Sequence, residues 1–176
     1  MPTGLKRFQQ AGTLHFITFS CFHRLPLLEP SSAKQAFETI LEQTRARHQA
    51  CVYAYVVMPE HIHLLIHEPP KMQLAQFLKV LKQTTSRKLR GSREQFWQER
   101  YYDSNIHGEQ ACSTTLRYIH RNPVKRGLVT RPEDWPWSSF LHYATGQQRT
   151  VEIESQWTAF QRSNQLPDDA LIRKID

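Results

Sequence analysis

The sequence has few cysteines and no long apolar run, and each of these deficits excludes a class of protein. The 176 residues include three cysteines, Cys21, Cys51 and Cys112, an odd number without metal-like spacing. They predict neither a disulfide framework nor a zinc knuckle, and we expect all three to be small buried side chains. No apolar run approaches the length of a membrane helix, and the first ten residues are polar and basic rather than signal-like. We therefore expect a cytoplasmic protein that has no membrane partner.

Basic side chains are in excess, with 23 Lys and Arg against 16 Asp and Glu and a formal net charge of +7. This balance favours a polyanionic partner, but it matters only where the charge gathers on one surface. A helix predicted from residue 72 to about 90 has Leu74, Phe77, Leu78 and Leu81 on one side. The other side carries Lys79, Lys82, Arg90 and Arg93. This basic stripe is either a track for phosphates or an ordinary solvated face.

The order of the predicted elements indicates an α+β fold. Apolar and β-branched runs predict strands, helical periodicity predicts helices, and Ser31 or Ser32 is a suitable helix cap. In chain order these are a strand at 14–22, a helix ending near 48, strands at 51–58 and 62–66, the helix at 72–90 and an extended segment at 96–106. Strand, helix, strand, strand, helix, strand is the ferredoxin-like order. We predict one domain over residues 1–147 and a C-terminal tail over 148–176, partly helical around 154–161.

Two histidines lie two residues apart in the strand that begins after Pro59. Side chains of an extended segment alternate between faces, so His61 and His63 project from one side of a sheet. Two neutral imidazoles directed at one point are half of a divalent-metal site, which one or two oxygen ligands would complete. The alternative is that both histidines lie on a solvated strand face.

A helix predicted over residues 109–122, ending before Pro123, carries a phenol and an amide on one face. Tyr118 and Asn122 are four residues apart and are therefore neighbours on the helix surface. His120 lies nearly opposite, so we expect it to be a packed or capping side chain rather than a ligand. Asn122 has two interpretations, a metal ligand or the residue that ends the helix.

Four sequence motifs occur in a fixed order and together carry a resemblance to a known family. They are YVVMPEHIHLL at 55–65, FWQERYY at 96–102, YIHRNPVKRGLV at 118–129 and WPWSSF at 135–140. With these motifs the chain resembles the HUH single-strand DNA transposases, in particular the REP-associated tyrosine transposases and related insertion-sequence enzymes. The resemblance covers roughly residues 5–145.

The resemblance implies a ferredoxin-like (RRM-like) sandwich with an antiparallel sheet and an added helix that carries the nucleophilic tyrosine. His61, His63 and Asn122 would hold Mg or Mn, and Tyr118 would attack a phosphodiester to give a 5′-phosphotyrosine and a free 3′-hydroxyl. The expected activity is that of a single-stranded DNA endonuclease and strand transferase acting beside REP-like hairpins, and the protein would then be associated with the nucleoid.

Six basic residues are candidate phosphate contacts, although each alone is also an ordinary surface charge. They are Lys79, Lys82, Arg117, Arg121, Lys125 and Arg126. Because the connection from Ile106 to Glu109 is short, we expect the site to be completed within one chain. A monomer is therefore favoured, with a homodimer as the alternative.

Three other activities use some of the same residues. A histidine-triad nucleotide hydrolase is disfavoured because Leu65 occupies the position of the third histidine. A phosphodiesterase that activates water would keep the metal ligands but would not need Tyr118. A domesticated protein that binds hairpin DNA and cleaves little is the remaining alternative, although a binder has no physical need for the set of His61, His63, Tyr118 and Asn122.

Overall fold

A four-stranded antiparallel sheet forms the centre of the computed structural model, which describes residues 14–165. In chain order the strands are β1 (Leu14–Ser20), β2 (Cys51–Val57), β3 (His61–His67) and β4 (Tyr102–Ile106). They lie in the order β2-β3-β1-β4, and each neighbouring pair is antiparallel. This is the ferredoxin-like arrangement that the order of elements predicted. The end of the predicted tail, residues 166–176, lies outside the described residues.

Helices cover the sheet on both faces. In chain order they are α1 (Ser31–His48), α2 (Leu74–Leu89), α3 (Gly108–Lys125), α4 (Phe140–Thr145) and α5 (Gln156–Gln165). One buried cluster joins α1 and α2 to the sheet through Phe37, Phe77 and Ile17. A second, smaller cluster joins Ile119 of α3 to Leu65 on the opposite side. We call this opposite side, against which α3 packs, the α3 face.

The histidine strand β3 alternates as predicted. Its residues Ile62, Leu64 and Ile66 lie in the cluster with α1 and α2. Leu65 belongs to the cluster on the α3 face, and His61 and His63 lie on that same face by the two-residue period of a strand. The predicted hairpin is confirmed too, because β2 and β3 are antiparallel neighbours joined by residues 58–60.

Helix α3 runs through Pro123 to Lys125, so the predicted end at Asn122 is wrong. A proline removes only its own N–H from the helix ladder, and its carbonyl remains an acceptor. The backbone N–H groups of Arg126 and Leu128 donate to the carbonyls of Asn122 and Pro123, each at 3.0 Å. The chain leaves the helix at Gly127, whose φ of 69° suits a residue without Cβ. Asn122 therefore lies inside the helix and does not cap it.

Three further predictions about local structure differ from the structure. Helix α1 begins at Ser31 without a side-chain cap, because the carbonyl of Pro30 receives the N–H groups of Ala33 and Lys34. Strand β4 begins only at Tyr102, because the preceding segment turns Phe96 and Trp97 into the core. The cysteines are all free, but Cys21 alone is fully buried, whereas Cys51 and Cys112 are partly exposed.

The segment after α3 returns to the body, as predicted. The N–H of Val57 donates to the carbonyl of Trp137 at 2.9 Å, and the indole of Trp135 donates to the carbonyl of Val57 at 3.1 Å. Val151 and Ile153, which the sequence placed in the tail, are buried in the core with α1 and α2. The packed body therefore reaches at least to Ile153. Within residues 14–165 there is no helix that combines the length and the apolarity needed to cross a lipid bilayer.

Candidate active site

The two imidazoles of β3 meet at one point on the α3 face. The register with β1 places His61 opposite Ser20 and His63 opposite Thr18. The Nε2 atoms of His61 and His63 are 3.0 Å apart, and both residues are buried. The two-residue spacing in the sequence thus brings the same ring atom of each histidine to the same place.

Each imidazole is oriented by a hydrogen bond at its Nδ1 atom. Nδ1 of His61 is 2.9 Å from Oε1 of Glu60, and Nδ1 of His63 is 2.7 Å from the hydroxyl of Thr18. A carboxylate only accepts hydrogen bonds, so neutral His61 carries its proton on Nδ1 and a lone pair on Nε2. The Thr18 hydroxyl can donate or accept, and His63 can therefore adopt either tautomer.

Burial keeps both histidines neutral. Desolvation, the largest cause, and the neighbouring His61, Arg24 and Arg126 together lower the pKa of His63 to about 3. Desolvation also lowers the pKa of His61, although the carboxylate of Glu60 acts in the opposite direction. For Glu60 itself burial raises the pKa, but His61 and Arg126 outweigh burial and hold that pKa below its usual value. The site therefore contains neutral imidazoles, as metal ligation requires, beside an ionised carboxylate.

The amide of Asn122 reaches the imidazoles from helix α3. Its Nδ2 atom is 3.3 Å from Nε2 of His63, and the residue is buried. Its Oδ1 atom is buried and has no hydrogen-bond partner within the described residues. A half-turn of the amide exchanges the two atoms and directs the oxygen at the imidazoles. When His63 carries its proton on Nδ1, both imidazoles direct a lone pair to this point, and a cation would satisfy them together with the orphaned carbonyl.

This donor set fits a divalent metal ion. Two Nε2 atoms 3.0 Å apart can both bind one ion, since bonds from metals such as Zn²⁺ to imidazole are about 2.0–2.1 Å long. The Glu60 carboxylate behind His61 matches the way in which ligating histidines are oriented in metal sites. In the part of the chain that the structure describes, no cluster of three or more His, Cys, Asp or Glu side chains could hold a metal. The amide of Asn122, which lies next to His63, is the candidate third protein ligand.

Tyr118 lies at the open side of this cluster. Its ring centroid is 5.2 Å from that of His63 and 5.8 Å from that of Phe16, in edge contacts. The side chain is 40% exposed, so a ligand can reach the phenol. The ammonium of Lys125 is 5.4 Å from the centre of the ring. One helical turn therefore presents the phenol of Tyr118 and the amide of Asn122 to the same imidazole, that of His63.

The predicted phosphate contacts lie in two places. On α3, Arg117, Arg121 and Lys125 are exposed, and Arg126 follows as the C-cap. Lys79 and Lys82 line a separate cleft of about 800 Å³ between α2 and the segment before β4. The ammonium of Lys82 donates to the carbonyls of Gln98 and Glu99 at 2.7 and 3.2 Å.

The rest of the predicted basic stripe leaves the helix. Arg90 is the C-cap of α2, and Arg93 lies beyond it. The stripe is therefore not one continuous helical surface.

Some site residues had no clear signal in the sequence. Thr18 and Phe16 enter the site only through the pairing of β1 with β3, which no local pattern reveals. Glu60 directly precedes His61, and that adjacency was the one available signal.

His120 is buried, with Nε2 2.8 Å from the hydroxyl of Ser139, and is a packed histidine as expected.

The sheet, the pair of histidines and helix α3 with Tyr118 form the arrangement that the resemblance to the HUH single-strand transposases implies. The model of the family described as "Transposase IS200 like" matches residues 9–122, which is more than half of the chain. The chain belongs to this family.

Two relatives are REP-associated tyrosine transposases by name. A Haemophilus influenzae protein, provisionally so named, is 32% identical over 117 residues, which are 59% of this chain and 66% of that protein. The chain thus spans just under two thirds of this relative's length. The Escherichia coli K12 protein is 27% identical over 137 residues, which are 77% of this chain and 81% of that protein.

A solved structure shares the fold. It is that of a REP-associated tyrosine transposase bound to a REP hairpin, with a TM-score of 0.71 and 22% sequence identity. The match covers 88% of this chain and 93% of the other. The shared fold therefore extends over most of this chain.

Proposed function

We propose that this protein is a metal-dependent endonuclease and strand transferase for single-stranded DNA, with Tyr118 as its nucleophile. The convergence of His61, His63 and Asn122 beside the half-exposed phenol is the observation that carries this proposal. A phenol so placed has no structural need for two imidazole lone pairs and an orphaned amide oxygen next to it. The names of the two relatives and the family membership support the same activity.

His61, His63 and Asn122 would hold the metal, Mg or Mn, and Glu60 would orient His61. When bound there, a divalent ion would withdraw charge from a non-bridging oxygen of the scissile phosphate. Neutral imidazoles leave the net charge of such a centre positive, which suits an anionic phosphodiester.

Tyr118 would then carry out an in-line displacement at phosphorus. The bond from its phenolic oxygen to phosphorus forms, the bond from phosphorus to the 3′-oxygen breaks, and that oxygen gains a proton as the phenol loses one. The products are a 5′-phosphotyrosine on one DNA end and a free 3′-hydroxyl on the other. Lys125, 5.4 Å from the ring, adds positive charge beside the developing phenolate.

The covalent intermediate conserves the energy of the phosphodiester bond. Attack on it by a different 3′-hydroxyl reverses the first step with a new partner and joins two strands without ATP. The protein can therefore act as a strand transferase with the same four side chains.

The proposed substrate is an unpaired strand beside a REP-like hairpin. The structural relative was solved with a REP hairpin, and the chain shares its fold. Exposed cations on α3, among them Arg117 and Arg121, lie within one turn of Tyr118 and would track the phosphates. All four site residues come from one chain, which supports a monomer as the acting species.

The direct test mixes the protein with an end-labelled hairpin oligonucleotide carrying single-stranded flanks, with Mn²⁺ or Mg²⁺. We expect a labelled protein band that survives denaturing electrophoresis, and we expect EDTA to abolish it. Tyr118→Phe removes the nucleophile and should abolish the band while retaining hairpin binding. Tyr102→Phe is the matched control, because it removes the hydroxyl of another exposed tyrosine on the same sheet face.

Other outcomes separate the alternatives. Strand cleavage by Tyr118→Phe at the parental rate would mean that water, not tyrosine, is the nucleophile. Tight hairpin binding without cleavage by the parent protein, with either metal, would leave a hairpin-binding module and overturn the enzymatic proposal.

A further inference from the structure

An exposed tyrosine on the edge strand lies beside the candidate active site without belonging to it. Tyr102 is the first residue of β4 and pairs with Thr18 of β1. Its side chain is 39% exposed, although it lies on a sheet face that is otherwise packed against a helix. A single exposed ring is ordinary on a protein surface, but this ring lies beside the aromatic side chains of the candidate site and is accessible to a ligand bound there.

Helix α3 packs mainly on β2 and β3 and leaves the edge strand β4 partly uncovered at Tyr102. Leu116 and Cys112 of α3 pack against the same cluster as Leu14 and Ile106, at one end of β1 and β4. The opposite end of β4 holds Tyr102. Tyr102 lies level with His63 on the sheet, because both pair with Thr18 of β1.

One ring connects Tyr102 to the site. Phe16 stacks on His63 with centroids 5.4 Å apart and an interplanar angle of 27°. The same Phe16 ring meets Tyr102 at 6.1 Å and Tyr118 at 5.8 Å, both in edge contacts. Tyr102 and Tyr118 are thus two exposed rings on either side of a shared, half-buried one.

We infer that Tyr102, supported by Phe16, stacks the unpaired base next to the scissile phosphate. This inference rests on the proposed function, and it names how the single strand is held. Every base has an apolar π-face, so an exposed phenol ring can stack it without reading its hydrogen-bonding edge. Aromatic side chains on adjacent strands of a four-stranded sheet bind single-stranded nucleic acid in the same way in RRM domains.

Duplex DNA is excluded as the occupant. Paired bases present their edges in the grooves and keep their faces inside the stack, so an aromatic ring on a flat sheet cannot stack them. The occupant must be a base free of its partner, which is the state of a nucleotide in a single-stranded flank. The exposed cations Arg121 and Lys125 on α3 are available for the phosphates on either side of that base.

The test measures affinity rather than catalysis. Fluorescence anisotropy would follow a labelled hairpin oligonucleotide with single-stranded flanks in EDTA, with Tyr118→Phe as the parent background. Tyr102→Leu keeps an apolar side chain but removes the ring, and we expect it to weaken binding about tenfold. Tyr102→Phe keeps the ring and should bind as the background does.

Abasic substitution then locates the base. We expect one flank position at which removal of the base weakens binding to the background protein. With that abasic oligonucleotide, the background protein and Tyr102→Leu should have the same affinity. An unchanged affinity of Tyr102→Leu for intact DNA overturns the inference. A deficit that persists equally with every abasic oligonucleotide also overturns it, since the effect would then be structural.

A second readout does not depend on the leucine variant folding. Placing 2-aminopurine at each flank position should give quenching on binding at the stacked position, in the background protein and in Tyr102→Phe. Absence of quenching at every position contradicts the inference.

The outcomes distinguish this inference from the proposed function. If stacking is position-specific but the parent protein forms no covalent adduct, the stacking role of Tyr102 stands and the proposed endonuclease activity is wrong. If the adduct forms without any position-specific effect, the endonuclease activity stands and the stacking role is wrong. A background protein that does not bind the oligonucleotide overturns both.

Discussion

Arg126 and Glu60 form an ion pair that joins the tyrosine helix to the histidine hairpin. The Nη1 atom of Arg126 is 2.8 Å from Oε1 of Glu60, and the same carboxylate oxygen lies 2.9 Å from Nδ1 of His61. Because α3 carries Tyr118 and Glu60 directly precedes His61, this contact connects the two halves of the candidate site. Arg126, which was predicted to hold a DNA phosphate, thus has a partner inside the protein, and its side chain remains 48% exposed.

The ion pair leads to a prediction that separates Arg126 from its exposed neighbour Arg121. Arg126→Gln should weaken Mn²⁺ binding about tenfold, because Glu60, which orients His61, loses the nearer of its two arginine partners. The slope of log K against log salt for DNA binding should stay near the parental value. Isothermal titration with Mn²⁺ and anisotropy over a salt series measure the two quantities.

Arg121→Gln is the matched control and should behave in the opposite way. It should leave Mn²⁺ affinity unchanged and reduce the salt slope by about 0.7, the value for one phosphate contact on a single strand. A reduced salt slope for Arg126→Gln with normal metal binding would show that Arg126 contacts DNA after all.

Asn122 provides a test of the metal shell. Asn122→Leu keeps a similar volume but removes the oxygen, so we expect Mn²⁺ affinity and covalent adduct formation to fall at least tenfold. Asn122→Asp keeps an oxygen donor and should bind Mn²⁺ at least as tightly as the parent. Equal Mn²⁺ affinity of the leucine variant and the parent would remove Asn122 from the ligand set.

His120 predicts a loss of stability in acid. Desolvation lowers the pKa of this buried histidine from 6.5 to about 4. Between these two values the unfolded chain binds a proton that the folded protein excludes, so stability falls as pH falls through this window and is unaffected by His120 above it. The contribution between pH 7 and pH 5 is about 2 kcal/mol.

Urea unfolding at several pH values measures this effect. His120→Gln retains a donor near Ser139. In acid it should reduce the slope of the free energy of unfolding against pH by the equivalent of up to one bound proton. His107→Gln removes an exposed histidine and should leave the curve as it is. Parallel curves for His120→Gln and the parent would contradict the prediction.

Ile153 tests whether the packed body extends beyond residue 147. This side chain is 1% exposed and lies in the core cluster. Ile153→Ala should lower the free energy of unfolding by about 2–5 kcal/mol through lost burial and a residual cavity. Phe160→Ala, at a position 64% exposed, should change it by less than about 0.5 kcal/mol. If Ile153→Ala also changes the free energy of unfolding by less than about 0.5 kcal/mol, residues 148–165 form a tail without a structural role.

Local patterns predicted much of the fold because periodicity acts within a few residues. The alternation in β3 placed His61 and His63 on one face, and the four-residue spacing placed Tyr118 beside Asn122. The effect of Pro123 was predicted wrongly, because a local pattern does not show which hydrogen bonds form after it. Its effect on a helix depends on whether nearby carbonyls find partners, and Gly127 and Leu128 provide them only once the chain has turned back.

Charge patterns did not reveal the internal partners of the basic side chains. Lys82 and Arg126 look like their neighbours in the sequence, but one ammonium donates to backbone carbonyls and one guanidinium pairs with Glu60. How many donors a cation retains for a phosphate depends on whether an internal acceptor already binds it. That condition is decided by the packing of distant segments.

The ferredoxin-like order of elements, the shared face of the two histidines and the shared face of Tyr118 and Asn122 could all be derived from the sequence. They follow from repeats of two or 3.6 residues along a single segment. That these faces meet, that Thr18 orients His63 and that Phe16 contacts Tyr102 is settled only by the folded chain. Those contacts join residues distant in sequence, such as His63 and Asn122, 59 positions apart, and only the pairing of strands and the packing of α3 on the sheet bring such residues together.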